Sequence, residues 1–497
     1  MDLGATRREL LAGLGALALA PAPADRQAGL RSLLDRAAAA AQPEAMRAVI
    51  RRAPVDGLDR AERALLRMVD RGLERDMALR RAFPFGKADG SSPYVLSHRH
   101  GAYLELGAAG PSPADKARRL DDETERLRAE AGRGIAPPAF LIDSIVRTQA
   151  ADQANAAFEV QAALGRQMKA LGWVRARAAA EPGVWSLPGG EDYYRLRLRC
   201  TSGLDDPPER IEQRSAEETA ALLERADGLL RGLGLVRGSV GERLRSLKRR
   251  PGNRFSNDEA GRSRAVMSMN SALARLRPNL GAWFNPPLET GGSVRRMTAA
   301  EEGAGKRGYR DPAAGVYYPD LSAVDERPAW TLPVVACHET FPGHLLQLGR
   351  QARADPHPLQ VKYAPGYSEG WAIYAEALVD GAGLLSPLEQ LGYLQSRLFR
   401  LARVTCDIGI HLRRWSRARA VHHLEEIVGF ELFFPFAVEV DRYSAEPGAF
   451  AGDAMVALTL GRLGRQAAAS GRAGLRAFHD RVLDPGPLSA EAVGRIM

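Results

Sequence analysis

Apolar residues recur every three or four positions along most of this chain, the spacing that gathers them on one side of a helix. The Ala-, Leu- and Arg-rich stretches 26–80 and 113–131 show it, and a long helical stretch runs from Asp143 to Leu171. The pattern resumes over 209–249, stops at Pro251-Gly252-Asn253, and returns over 256–277 and from Trp330 to the end. Ser386-Pro387-Leu388-Glu389 is a capping box with proline at the first helical position, opening a helix through His411. Two segments depart from the helical period. In 181–208, Tyr194, Leu196, Leu198 and Cys200 alternate with charged residues, which predicts a short β element near 192–201. Residues 278–328 are rich in Pro, Gly and Thr, with Gly315–Tyr318 as a second short strand. No repeat of 20–50 residues is visible. The pattern predicts a mainly α protein with a small β element, organised as an N-terminal region 25–277 and a C-terminal region 278–497 that together form one unit.

Residues 1–24 read as an export signal. Thr6-Arg7-Arg8-Glu9-Leu10-Leu11 resembles a twin-arginine motif, an apolar run LLAGLGALALA follows, and Ala22-Pro23-Ala24 offers a cleavage site. The run is too short to span the roughly 30 Å of a bilayer's hydrocarbon. No later stretch reaches the length and apolarity of a membrane anchor, so a periplasmic or secreted location is expected. The 497 residues carry 69 Lys+Arg against 60 Asp+Glu, a net charge of +9. Because the basic residues are interleaved with acids, as in ERLRAEAGR, no nucleic-acid partner is expected. Cys200, Cys337 and Cys406 are odd in number and far apart, which predicts free, buried thiols.

The strongest chemical signal is Cys337-His338-Glu339-Thr340-Phe341-Pro342-Gly343-His344. It begins like H-E-x-x-H, in which two histidines four apart bind Zn²⁺ and the glutamate activates water. Here the second histidine comes six residues on, about 120° away around an ideal helix. Pro342 cannot donate to the His338 carbonyl, and Gly343 tolerates unusual angles. A two-residue bulge there would return His344 to the metal. The spacing alone leaves a chance His-Glu pair at a Pro-Gly turn as the alternative. Gly366-Tyr367-Ser368-Glu369 then opens another helix, with Ser368 as a candidate cap. Glu369 can be the third ligand of a His₂Glu site, and Glu376, two turns further on, can hydrogen-bond a ligand imidazole. Gly370 permits close approach of this helix. By contrast, Gly303-Ala304-Gly305-Lys306-Arg307-Gly308 fits G-x-G-x-x-G but follows no strand, so no dinucleotide site is expected. His98, His100, His422 and His423 lack acid or thiolate partners nearby and are expected in surface or packing roles.

HETFPGH followed by YSEGWAIYAE resembles the bacterial DUF885 family, whose pattern is H-E-x-x-P-G-H…E-G-W-A-x-Y-x-E and which is distantly similar to gluzincin metallopeptidases. The likeness continues in Asp407-Ile408-Gly409-Ile410-His411 with Trp415, and in Arg442-Tyr443…Pro447-Gly448. It implies a large two-lobed helical fold around a deep cleft, with His338, His344 and Glu369 holding zinc and Glu339 as general base. One departure stands out: after Pro447-Gly448 the family has Gln-Ala and then a Tyr, where this chain reads Ala449-Phe450-Ala451. Arg403, Asp407 and His411 fall at i, i+4 and i+8, a polar stripe on an apolar helix. Asp407 could orient His411 as a donor to a tetrahedral intermediate, with Tyr443 a further catalytic candidate and Arg403 and Arg442 candidate binders of a substrate carboxylate. The resulting expectation is a zinc-dependent hydrolase of short peptides, with Gly315–Tyr318 as an edge strand for an extended substrate. The alternatives are a non-catalytic metal- or peptide-binding periplasmic protein and a zinc hydrolase of non-peptide amides.

Overall fold

Helix starts follow caps written in the sequence. Asp59, Ser239 and Ser386 each accept from the backbone N–H three residues on, while Glu62, Glu242 and Glu389 reach back to the cap residue's own N–H. The structure, a computed structural model, describes residues 23–286, 292–432 and 434–497. The twin-arginine motif and the apolar run after it lie outside the described residues. The 26–80 stretch resolves into helices Pro23–Ala39, Pro43–Arg51 and Arg60–Ala82, and the 113–131 stretch into Pro113–Gly132. The long helix expected from Asp143 is two, Ala139–Gln153 and Phe158–Arg175. Pro208–Gly232, Val240–Lys248 and Glu259–Leu276 follow as expected.

The strand expected near 192–201 is a helix, Gly190–Ser202. Tyr194 and Leu198 are four residues apart, so they satisfy helical spacing as well as alternation, and with Tyr193, Thr201 and Ser202 they form the buried face. The intervening arginines reach outward to acids, Arg195 to Glu209 and Arg199 to Asp205.

The β structure lies elsewhere, in a three-stranded sheet of order β1 (Ser293–Val294), β3 (Val316–Tyr318), β2 (Tyr309–Asp311). β1 runs parallel to β3, and β2 antiparallel to it with Arg310 opposite Tyr317. The strand expected at 315–318 is therefore central, and β2 is an outer strand. β1's outer edge is closed by Asn270, which accepts from Val294 N at 3.0 Å and donates to Val294 O at 2.9 Å.

One hydrophobic cluster extends from Ala64 to Ile496 and draws on both halves of the chain, so packing continues across residue 277. Through its centre runs Pro387–Leu412, buried almost without interruption from Leu391 to His411. A helix covered on all sides must pair its polar residues internally. Arg397 meets Glu218, Arg400 meets Glu369, and Arg403 meets Glu439. Cys337 and Cys406 are buried free thiols, while Cys200 is half-buried. Among the described residues no helix is long and apolar enough to cross a membrane.

Candidate metal centre

The helix Leu332–Glu339 carries His338 in its last turn and stops there, and a separate helix, His344–Ala354, starts on the second histidine. The expected bulge inside one helix is thus a break between two. Gly343 N donates to Cys337 O at 3.1 Å, and Leu345 N to Thr340 O at 2.9 Å, folding the second helix back over the end of the first. A Cβ at Gly343 would run into the His338 carbonyl, so this return depends on glycine. The two imidazoles end with ring centroids 4.8 Å apart at 87°.

Glu369 comes from the first turn of Tyr367–Gly381. This helix begins at Gly366, in the left-handed region at φ 71°, and not at a Ser368 cap. At Gly370 a Cβ would meet the Val456 side chain, so glycine sets the close approach of Tyr367–Gly381 to Ala451–Ala469. Freed from capping, Ser368 donates to Gln347 Oε1 at 3.0 Å and accepts from His344 Nδ1 at 3.1 Å. His338 Nδ1 donates to Glu376 Oε1 at 2.7 Å, and Ser396 Oγ donates to the same oxygen at 3.3 Å.

With each Nδ1 held, each Nε2 turns toward Glu369. His338 Nε2 lies 3.6 Å from Oε2, and His344 Nε2 lies 3.4 Å from Oε1. The candidate donor atoms of His338, His344 and Glu369 all fall within 4.8 Å of one another. Arg400, from the central helix, donates to Glu369 Oε2 at 2.7 Å. Burial pushes the Glu369 carboxyl up, but the Arg400 charge and the two imidazoles outweigh it and hold the group well below the usual carboxylate range. For His338 burial acts downward and Glu369 and Glu376 act upward, the balance lying at about 9; burial pushes His344 down. His344 Nε2 is buried and makes no hydrogen bond among the described residues, and the 38% exposed Glu369 side chain keeps the cluster accessible. Two imidazole nitrogens and a carboxylate oxygen, oriented by hydrogen bonds behind them, fit the donor set of a zinc ion with an open position.

Glu339, one residue after His338, accepts from Arg310 Nη1 of strand β2. Arg327, Ser396 and Arg400 line a small cavity together with His338, Glu339 and Glu376.

The second group of candidates is satisfied within itself. His411 is fully buried; Val184 N donates to its Nδ1 at 3.2 Å, and its Nε2 donates to Tyr443 O at 3.1 Å. Its tautomer is therefore set by the backbone, Asp407 lying 3.6 Å from Nε2. Burial pushes the His411 pKa down to about 3 and that of Asp407 up to about 7. Asp407 accepts from Tyr194 Oη at 2.6 Å and from Gly448 N at 3.0 Å. Tyr443 Oη donates to the buried Glu439, as do Arg403 and Arg442. Both guanidinium groups lie over the ring of Phe450, at 4.4 and 4.9 Å from its centroid. Phe450, in the segment that departs from the family pattern, thus contacts both cations. These contacts tie the central helix to its neighbours and occupy both nitrogens of His411.

Sequence reading missed Arg310, Arg400 and Glu439. Arg400 is three residues before Arg403 on the same stripe, and Glu439 is three before Arg442, so helical spacing carried a signal for both. Arg310 belongs to no motif.

The model of the family described as "Bacterial protein of unknown function (DUF885)" matches residues 14–497. A "putative lipoprotein" from Colwellia psychrerythraea has a similar structure, with TM-score 0.74 and 21% identity, covering 92% of this chain and 89% of that one. A "putative lipoprotein of unknown function" from Shewanella oneidensis has TM-score 0.65 and 14% identity, covering 96% and 93%. No curated protein matches the chain.

Proposed function

The chain belongs to the DUF885 family, and from that membership and the geometry above we propose that it is an exported zinc-dependent hydrolase of short peptides. The observation that carries this reading is the convergence of His338, His344 and Glu369 within 4.8 Å beside Glu339. His338, His344 and Glu369 would hold the ion, with Glu376 and Ser368 fixing the imidazoles and Arg400 fixing the carboxylate. Zinc, when bound, brings the pKa of its water to about 7 and polarises a scissile carbonyl. Glu339 takes a proton from the attacking water on its carboxylate oxygen and delivers it to the departing nitrogen. His411 and Tyr443 serve as structural supports in this reading, since their polar atoms are already engaged. β2 is an outer strand whose Arg310 reaches Glu339, so a peptide extended along it would pass the base. The N-terminal motif and the description of both structural neighbours as lipoproteins support export.

Metal analysis and peptide hydrolysis by wild type and Glu339→Gln test the proposal. Glu339→Gln should retain zinc and lose about 10²–10⁴-fold in kcat. Zinc bound with no Glu339-dependent hydrolysis would leave a metal- or peptide-binding protein instead.

A further inference from the structure

Arg310 presents an arginine edge suited to a carboxylate, next to the residue assigned as general base. Its Nη1 donates to Glu339, which among the described residues is the only hydrogen-bond partner of this guanidinium. Among the described residues nothing engages the opposite edge, where the Nε and Nη2 hydrogens point in parallel. Such an edge grips a carboxylate through two parallel hydrogen bonds at once. The chain uses it this way elsewhere: Arg166 holds Asp121 through Nε at 2.9 Å and Nη2 at 2.7 Å, and Arg417 holds Asp441 through the same two atoms. Arg310 is 32% exposed and comes from the outer strand β2, so a ligand can reach it. Arg400, by contrast, is committed to Glu369.

Position sets which carboxylate would bind. A group on the free edge and the water served by Glu339 lie on two sides of one guanidinium. One or two residues of extended chain, advancing about 3.5 Å each, span such a separation, whereas three residues would overshoot it. Building on the peptidase reading, we propose that Arg310 anchors the free C-terminal carboxylate of the substrate one or two residues beyond the scissile bond. The enzyme would then release single residues or dipeptides from the C-terminus. Glu339 keeps its bond to Nη1 throughout, so one arginine positions both the base and the chain end.

The test uses three N-acetylated tripeptides that differ only at the last residue: a free acid, its C-terminal amide, and an amide with Asp at that position. Calorimetric titration of the metal-free protein reads binding without turnover, and hydrolysis by the zinc-loaded protein reads kcat and KM. Wild type should bind the acid at least tenfold more tightly than either amide. Arg310→Met should bind all three alike, whereas Arg327→Met, which removes a different cation lining the cavity beside His338 and Glu339, should keep the preference. Equal binding of acid and amide by wild type overturns the proposal, and this comparison decides even where Arg310→Met does not fold. An Asp amide that matches the acid overturns the assignment to the chain terminus, and so does loss of the preference in Arg327→Met but not in Arg310→Met. Hydrolysis of acid and amide at equal rates would remove the anchor and leave the peptidase reading standing. Arg310-dependent binding of the acid without hydrolysis would do the reverse.

Discussion

A carboxyl group surrounded by neutral donors and deprived of water titrates high, and Asp407 is in that position. Its donors are the Tyr194 hydroxyl and Gly448 N–H, and His411 beside it is kept neutral by its own burial. Burial raises Asp407 from the ordinary 3.8 to about 7. Between these values the folded protein holds a proton that the unfolded chain has released, so stability falls as pH rises. The contribution is complete below about pH 4 and lost once pH passes about 7. At about 1.4 kcal/mol per pKa unit it amounts to a few kcal/mol. Denaturant unfolding at pH 5 and pH 8 should therefore show a larger loss in wild type than in Asp407→Asn; equal losses would show that Asp407 is ionised in the folded state throughout. The i, i+4, i+8 spacing of Arg403, Asp407 and His411 was readable in the sequence. Their role was not, because spacing shows which residues share a face and not whether substrate or protein backbone meets it.

At the scale of elements, the ligand motif depends on how two helices are joined. Six residues separate His338 from His344, and an uninterrupted helix would part their rings. The break at Thr340–Gly343 brings them to 4.8 Å instead. The break was announced by Pro342 and Gly343; its form, two helices and not one with a bulge, depends on backbone contacts that spacing does not encode. Gly343→Ala should force the His338 carbonyl aside, at a cost of about 1–3 kcal/mol for the overpacking, and should weaken zinc binding at least tenfold. Gly228→Ala, in a helix where an added Cβ meets nothing within 4 Å, should gain up to about 1 kcal/mol and leave zinc binding unchanged. Thermal unfolding and zinc titration of both variants separate local crowding from a general effect of losing glycine. The element misread from its pattern, Gly190–Ser202, shows the complementary failure. Arginines placed between apolar residues imitate a strand until their acidic partners at Asp205 and Glu209 are seen.

For the whole molecule, the mainly helical architecture was legible because the apolar period persists through most of the chain, while the way distant segments meet was not. Arg400 illustrates the gap. It is an unremarked arginine in sequence, yet it sits on the central helix and holds the carboxylate of a different helix. The candidate donor atoms come from three helices, Leu332–Glu339, His344–Ala354 and Tyr367–Gly381, all packed into or beside the shared core. A cation bound there cross-links three elements that the unfolded chain holds apart, so its binding energy adds to folding. At a free zinc concentration a thousandfold above Kd the gain is about 4 kcal/mol. Zinc should raise the melting temperature of wild type by several degrees, and a chelator should reverse the shift. Glu369→Gln should blunt the response, because it removes the anionic donor that faces both imidazoles. Glu339→Gln should keep it in full, since in this arrangement Glu339 handles protons and does not hold the ion. A zinc-induced shift equal in Glu369→Gln and wild type would place the stabilising cation away from His338 and His344, and the proposed centre would fail with it.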